Sequence, residues 1–175
     1  MRISLAEIMN RRGEAVKLSV PLELTVLERG GAEYKVLRKS EVRIVLSSPA
    51  AKRVCIGLEA EVVLSAPCDR CLEEVELPFD VRYSREIDFS QSGEERAEDL
   101  DELYYISGFD LDVDRLVFEE LLVDFPAKIL CREDCKGICR VCGASLNAGE
   151  CGCDRTPSDP RMAAIRDIFN NFKEV

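Results

Sequence analysis

Nine cysteines and no histidine in 175 residues constrain this chain more than any other feature. With no imidazole, every nucleophile–histidine mechanism is excluded, and a metal site must be built from thiolates, carboxylates or backbone oxygen. Six cysteines fall in one run, CREDCKGICRVCGASLNAGECGC, as Cys131, Cys135, Cys139, Cys142, Cys151 and Cys153. Cys139-Arg140-Val141-Cys142-Gly143 has the form of a zinc knuckle: two thiolates three positions apart bind one ion, and the following glycine permits a left-handed backbone. Cys151 and Cys153 are the nearest pair able to complete a tetrahedron, and Ala144–Glu150 is long enough to return the chain. Cys131 and Cys135 compete for that role. Cys68-Asp69-Arg70-Cys71, at a turn between two strand patterns, suggests a second site shared with Cys131 and Cys135. Cys55, inside a strand pattern, reads as a buried core residue.

Four thiolates favour zinc over magnesium or calcium. The spacing matches no ferredoxin-like cluster, and the Cys68–Cys71 pair lacks the βαβ setting of a thioredoxin-type redox motif. Disulfides would need an oxidising compartment, whereas the opening MRISLAEIMNRRGEAVKL lacks the apolar core of a secretory signal. No apolar run is long enough to span a bilayer, so the expected location is the cytoplasm. A closed tetrathiolate site has no open position for water, so its expected role is structural.

The remaining pattern predicts an α+β protein: an antiparallel β-meander or small barrel, then a helix, the zinc-knuckle cluster and a C-terminal helix. Alternation marks strands over Val16–Leu27, Tyr34–Leu46, Arg53–Ala66 and Val75–Phe89, with Gly57 suggesting a bulge and Pro21 and Pro78 suggesting edge positions. The expected organisation is a β-rich domain over 1–91, an acidic loop over 92–103, a strand and helix over 104–126, and a Cys-rich module with the last helix over 127–175. The first helix is read from Asp110 to Asp124, with Asp110, Asp112 and Asp114 at its positive end. The last opens at Ser158-Asp159-Pro160 and carries Ile165, Ile168, Phe169 and Phe172 on one face.

Charge divides unevenly. Residues 1–60 carry a balance of +4, residues 61–125 one of −15 and residues 126–175 one of +1, together the net −10 of the chain. Bulk electrostatics therefore repel nucleic acid. Local phosphate contact would fall to Arg38, Lys39, Arg43, Lys52 and Arg53, with Lys136 and Arg140 beside the cysteines. The acidic middle suits a basic protein. No phosphate-binding loop or dinucleotide fingerprint occurs, and no small-molecule substrate is expected.

CDRCLEEVELPFDVRY from Cys68, the acidic loop, DFPAKILC, DCKGICRVCGASLN, CGC and DPRMAAIRDIF resemble the YceD family over nearly the whole chain. The resemblance implies a role in accumulation of large-subunit ribosomal RNA in bacteria and plastids, in its processing or assembly. The expected function is a non-enzymatic factor stabilised by zinc, with large-subunit rRNA or a basic ribosomal protein as partner. The alternatives are a metal-dependent ribonuclease, a thiol redox protein, or an adaptor that binds protein alone.

Overall fold

A computed structural model describes residues 1–11, 13–90 and 103–154. The expected acidic loop, apart from Leu103, and the expected C-terminal helix lie outside them. Its elements are β1 (Arg2–Ser4), α1 (Leu5–Asn10), β2 (Val16–Val20), β3 (Val26–Arg29), β4 (Ala32–Lys39), β5 (Val42–Ser47), β6 (Arg53–Pro67), β7 (Glu74–Asp88), β8 (Ile106–Ser107), β9 (Asp110–Asp112) and α2 (Val113–Val123).

The axis of the fold is the antiparallel hairpin of β6 and β7, paired without a break from Arg53↔Asp88 to Pro67↔Glu74. Each strand has 15 residues and is about 50 Å long at the usual rise. The other edge of β6 receives β5 over Cys55–Glu59 and β4 over Val62–Ser65. In turn β2 pairs β5, and β3 pairs β4. The outer strands thus lie end to end, β2 with β3 and β4 with β5, all antiparallel.

The run Tyr34–Leu46, read as one strand, is broken at Ser40–Glu41. There the Ser40 hydroxyl takes a ladder position, accepting the Glu61 N–H at 2.9 Å. The expected bulge at Gly57 is corrected: Gly57 sits in register between Val45 and Ser84, and the irregularity falls in β4 between Val36 and Arg38. An unpaired Leu37 results, nearly half exposed. Pro78 lies on β7, which has no second partner among the described residues, so its missing N–H costs the ladder nothing on that side. For the same reason the described sheet is open rather than a closed barrel.

Strand alternation puts Val54, Ile56, Leu58, Ala60, Val62, Leu64 and Ala66 of β6 on one buried face. On this core α1 lies against β6, and α2 lies against β7. Val113, Leu116, Val117 and Leu121 of α2 recur at helical spacing and are completely buried. At roughly 1.5–3 kcal/mol for each aliphatic side chain, this stripe contributes on the order of 6–12 kcal/mol before entropy is subtracted.

The helix was expected from Asp110 but starts at Val113. Asp110 and Asp112 belong to β9, and Asp112 caps α2 by accepting the Arg115 N–H at 3.2 Å. Asp114 is engaged elsewhere: its carboxylate binds the Met1 amino group and accepts the Glu23 N–H at 2.6 Å. The short α1 was not foreseen, because Leu5 and Ile8 alone carry its buried face inside a segment otherwise rich in charge.

Beyond α2, Pro126 prevents helix continuation, and Phe125 turns into the sheet. Its ring lies 4.8 Å from that of Tyr34 and 5.9 Å from that of Phe79, with the Arg29 guanidinium 4.5 Å from its centroid. This anchor directs the following chain to the β6–β7 turn. Cys55 is corrected too: it is half-buried on the solvent side of β6, with its thiol 3.7 Å from a Glu86 carboxylate oxygen.

Candidate metal centres

The eight remaining cysteines form two groups of four, Cys68, Cys71, Cys131 and Cys135, and Cys139, Cys142, Cys151 and Cys153. Within each group the sulfurs lie within 4.8 Å of one another. Cys68 and Cys135 sulfurs are 3.8 Å apart, and those of Cys71 and Cys131 are 3.5 Å apart. A tetrahedral ion with metal–sulfur bonds of about 2.3 Å holds its sulfurs about 3.8 Å apart. A disulfide needs about 2.05 Å, and all nine cysteines are free thiols. Either group can hold a metal ion, and Cys131 and Cys135 partner the hairpin pair rather than Cys139 and Cys142.

The first group joins segments 60 residues apart, and the residues between its cysteines do the joining. Asp69 accepts the Ile129 N–H at 2.7 Å through its carboxylate, while its own N–H donates to the Ile129 carbonyl at 2.8 Å. The Arg70 guanidinium donates to the Cys135 carbonyl at 2.6 Å. Gly137 has φ +78°, and a Cβ there would come within 2.9 Å of the Arg70 carbonyl oxygen. Glycine alone allows both the left-handed backbone and this close approach.

The second group is local. Gly143 has φ +73°, and its N–H donates to the Cys139 carbonyl at 2.9 Å, closing the knuckle. The Val141 N–H points at the Cys139 sulfur from 3.4 Å. Gly152, at φ +69°, lets Cys151 and Cys153 approach the same point.

The protonation pattern prepares both groups for a cation. Burial pushes the Cys68 thiol up, but the N–H groups of Arg70, Cys71 and Cys131 outweigh it and bring the value down to about 6. Backbone donors from Cys142 and Val141 likewise bring Cys139 to about 6. The Asn147 amide is the main cause holding Cys135 low. In contrast, burial and the neighbouring thiols push Cys131 up to about 12. The hydrogen bonds of Cys142 and Cys151 do the same to Cys153. Each group therefore sets a thiol held low beside one pushed high, and a bound cation would draw the proton off the latter.

The description "Large ribosomal RNA subunit accumulation protein YceD" names the family model that matches residues 56–169, a span holding both cysteine groups and more than half the chain. This chain belongs to the YceD family. An uncharacterized protein of Mycobacterium tuberculosis is 24% identical over 180 residues, covering 97% of this chain and 81% of the relative. Another, from Mycobacterium leprae, is 25% identical over 153 residues, covering 86% of this chain and 65% of the relative. No solved structure matches.

Three of the basic residues expected to meet RNA are each engaged by a carboxylate. Arg38 is paired with Glu76 at 2.6 Å, Arg43 with Glu59 at 3.1 Å, and Arg53 with both Glu86 and Asp88 at 3.2 Å. Lys39 donates to the Leu24 carbonyl, and Lys52 sits in the β5–β6 turn at φ +61°. Near Arg43, an open groove of about 760 Å³ crosses the solvent face over Gly57, between Lys17 and Arg82. Lys136 and Arg140 are exposed beside the metal groups, and no ion pair engages them among the described residues. Sequence reasoning missed Asp69, Arg70, Gly137 and Asn147. Their only signal was position between or beside paired cysteines.

No helix among the described residues is long and apolar enough to cross a membrane.

Proposed function

We propose that this YceD protein is a non-enzymatic factor for large-subunit ribosomal RNA accumulation, built around two structural zinc ions. The observation that carries the reading is the pair of four-thiol groups, each closed by its own ligands. Such a set leaves the ion no position for water or substrate, so its chemistry is to hold chain segments together. Among the described residues, the groups able to hold a metal are these two, which favours a scaffold over a metal-dependent ribonuclease. Leu72, just after the first Cys-x-x-Cys turn, and Val141, inside the second, are 65% and 64% exposed, and Arg140 adjoins Val141 in the chain with no ion pair among the described residues. An apolar tip beside a cation suits a ligand with both bases and phosphates.

The direct test compares the ratio of large- to small-subunit rRNA in cells with and without the protein. A fall restored by the intact gene, but not by one lacking Cys68 and Cys71, is expected. An unchanged ratio would sink the reading.

A second reading, an adaptor that grips a basic ribosomal protein, is favoured by the carboxylates that engage the sheet arginines. Exposed pairs of this kind are weak enough to exchange partners. In-cell crosslinking separates the two: contacts to protein alone select the adaptor. If RNA is bound, its affinity should fall steeply between low and moderate salt.

A further inference from the structure

The loop from Cys142 to Cys151 belongs to the second cysteine group by sequence, yet one of its side chains reaches the first. Asn147 Nδ2 donates to the Cys135 sulfur at 3.4 Å, and its Oδ1 accepts the Lys136 N–H at 2.8 Å. The Lys136 donor requires the amide oxygen on its side, which leaves the NH2 group for sulfur. The backbone on which Asn147 rides is also pinned. Leu146 N–H donates to the Gly137 carbonyl at 2.9 Å, and Ile138 pairs with Ser145 as an antiparallel bridge. Gly137 is itself seated against Arg70, inside the hairpin turn that carries Cys68 and Cys71. A continuous path thus runs from one metal group to the other.

We propose that Asn147 is a positioning residue that couples the two centres: when the Cys139 group closes on its ion, its loop delivers an N–H to Cys135 and strengthens the hold of the Cys68 group on its own. The inference rests on the metal reading above. Four thiolates around a dication leave two negative charges uncompensated, and an N–H aimed at one sulfur disperses part of that excess. Linkage makes the effect mutual, so an ion in the Cys68 group favours closure of the Cys139 group by the same factor. Loading would then run from the local group, whose four ligands span Cys139–Cys153, to the long-range one.

The test uses the full chain loaded with cadmium-113 and, in parallel, zinc competition against a chelator. Two cadmium resonances are expected, with scalar coupling from the Asn147 side-chain protons to the ion held by Cys135. Asn147→Asp is the decisive variant. It keeps an oxygen for the Lys136 N–H, removes the donor to sulfur and sets a carboxylate beside a thiolate. Both Asn147→Asp and Asn147→Ala should weaken zinc binding by the Cys68 group about 10–100-fold, the usual effect of losing such a supporting contact. In both, loading of that group should no longer depend on filling of the other.

An Asn147→Asp chain that holds both ions as tightly as the unsubstituted one would overturn the proposal. Absence of the scalar coupling in a doubly loaded chain would do the same. An unsubstituted chain that shows no cadmium resonance at all overturns the metal reading itself, a result distinct from uncoupled loading.

Discussion

The sheet with its helix and the cysteine module are neighbours held together by different forces. In the body, one face of β6 alone buries seven apolar side chains, and α2 adds four. From residue 127 to 154, Ile129 is the buried hydrophobic side chain apart from Cys135 and Cys139. The body therefore has the apolar burial that offsets chain entropy. The module does not; with the proposed ions in place, its stability comes from sulfur–metal bonds and a dense set of backbone hydrogen bonds. A small segment can hold a defined shape without a core, provided its ligands are placed by a neighbour that has one.

Removal of metal should break this comparison most sharply. Each tetrathiolate site contributes on the order of 10 kcal/mol to the shape it closes. Chelation should strip hydrogen-exchange protection from the Cys131–Cys153 segment while β6 amides stay protected; equal protection in both would refute the division. Leu58→Ala probes the other side. A completely buried leucine cut back to Ala should cost about 2–5 kcal/mol in denaturant unfolding, with two zinc ions per chain still bound.

Smaller effects sharpen the boundary. Gly137→Ala forces a left-handed backbone onto a residue whose Cβ would meet the Arg70 carbonyl. A cost of about 1–3 kcal/mol is expected, read as weaker metal retention by the Cys68 group. The mildest effect is a change of slope with pH. Cys68 and Cys139 are low, at about 6, so in the metal-free chain they are thiolates above that pH and protonated below it. Cys131 and Cys153, at about 12, remain protonated throughout the accessible range. Metal uptake at neutral pH therefore expels protons from the raised thiols, Cys71, Cys131 and Cys153 among them, and below about pH 6 it must also expel those of Cys68 and Cys139. Apparent zinc affinity should fall as pH falls, more steeply below about 6; competition titrations from pH 8 to 5 check this.

Much of the body was legible because strand alternation and helical spacing are local patterns. The breaks were not. Ser40 interrupts its strand through a hydroxyl that replaces a ladder bond, and nothing in Tyr34–Leu46 announces that choice. Cys55 reads as buried from its residue type, although alternation itself puts it with Arg53, Gly57 and Glu59 on the face opposite Val54 and Ile56. The arginines Arg38, Arg43 and Arg53 read as a basic set from sequence, since the acids that engage them come from β6 and β7.

By itself, the sequence determined that this protein would be a mostly antiparallel sheet carrying thiol groups suited to a metal, since periodicity and cysteine spacing are written in consecutive residues. Between the two places the sequence left open for Cys131 and Cys135, beside the knuckle or beside Cys68 and Cys71, the tertiary structure decided. Phe125 locks into the sheet, Ile129 bonds with Asp69, and Gly137 slides under Arg70, which brings Cys131 and Cys135 to the hairpin turn. The physical reason is that sulfur–metal geometry accepts any four thiols that arrive together. Which four arrive is settled by packing between segments distant in the chain.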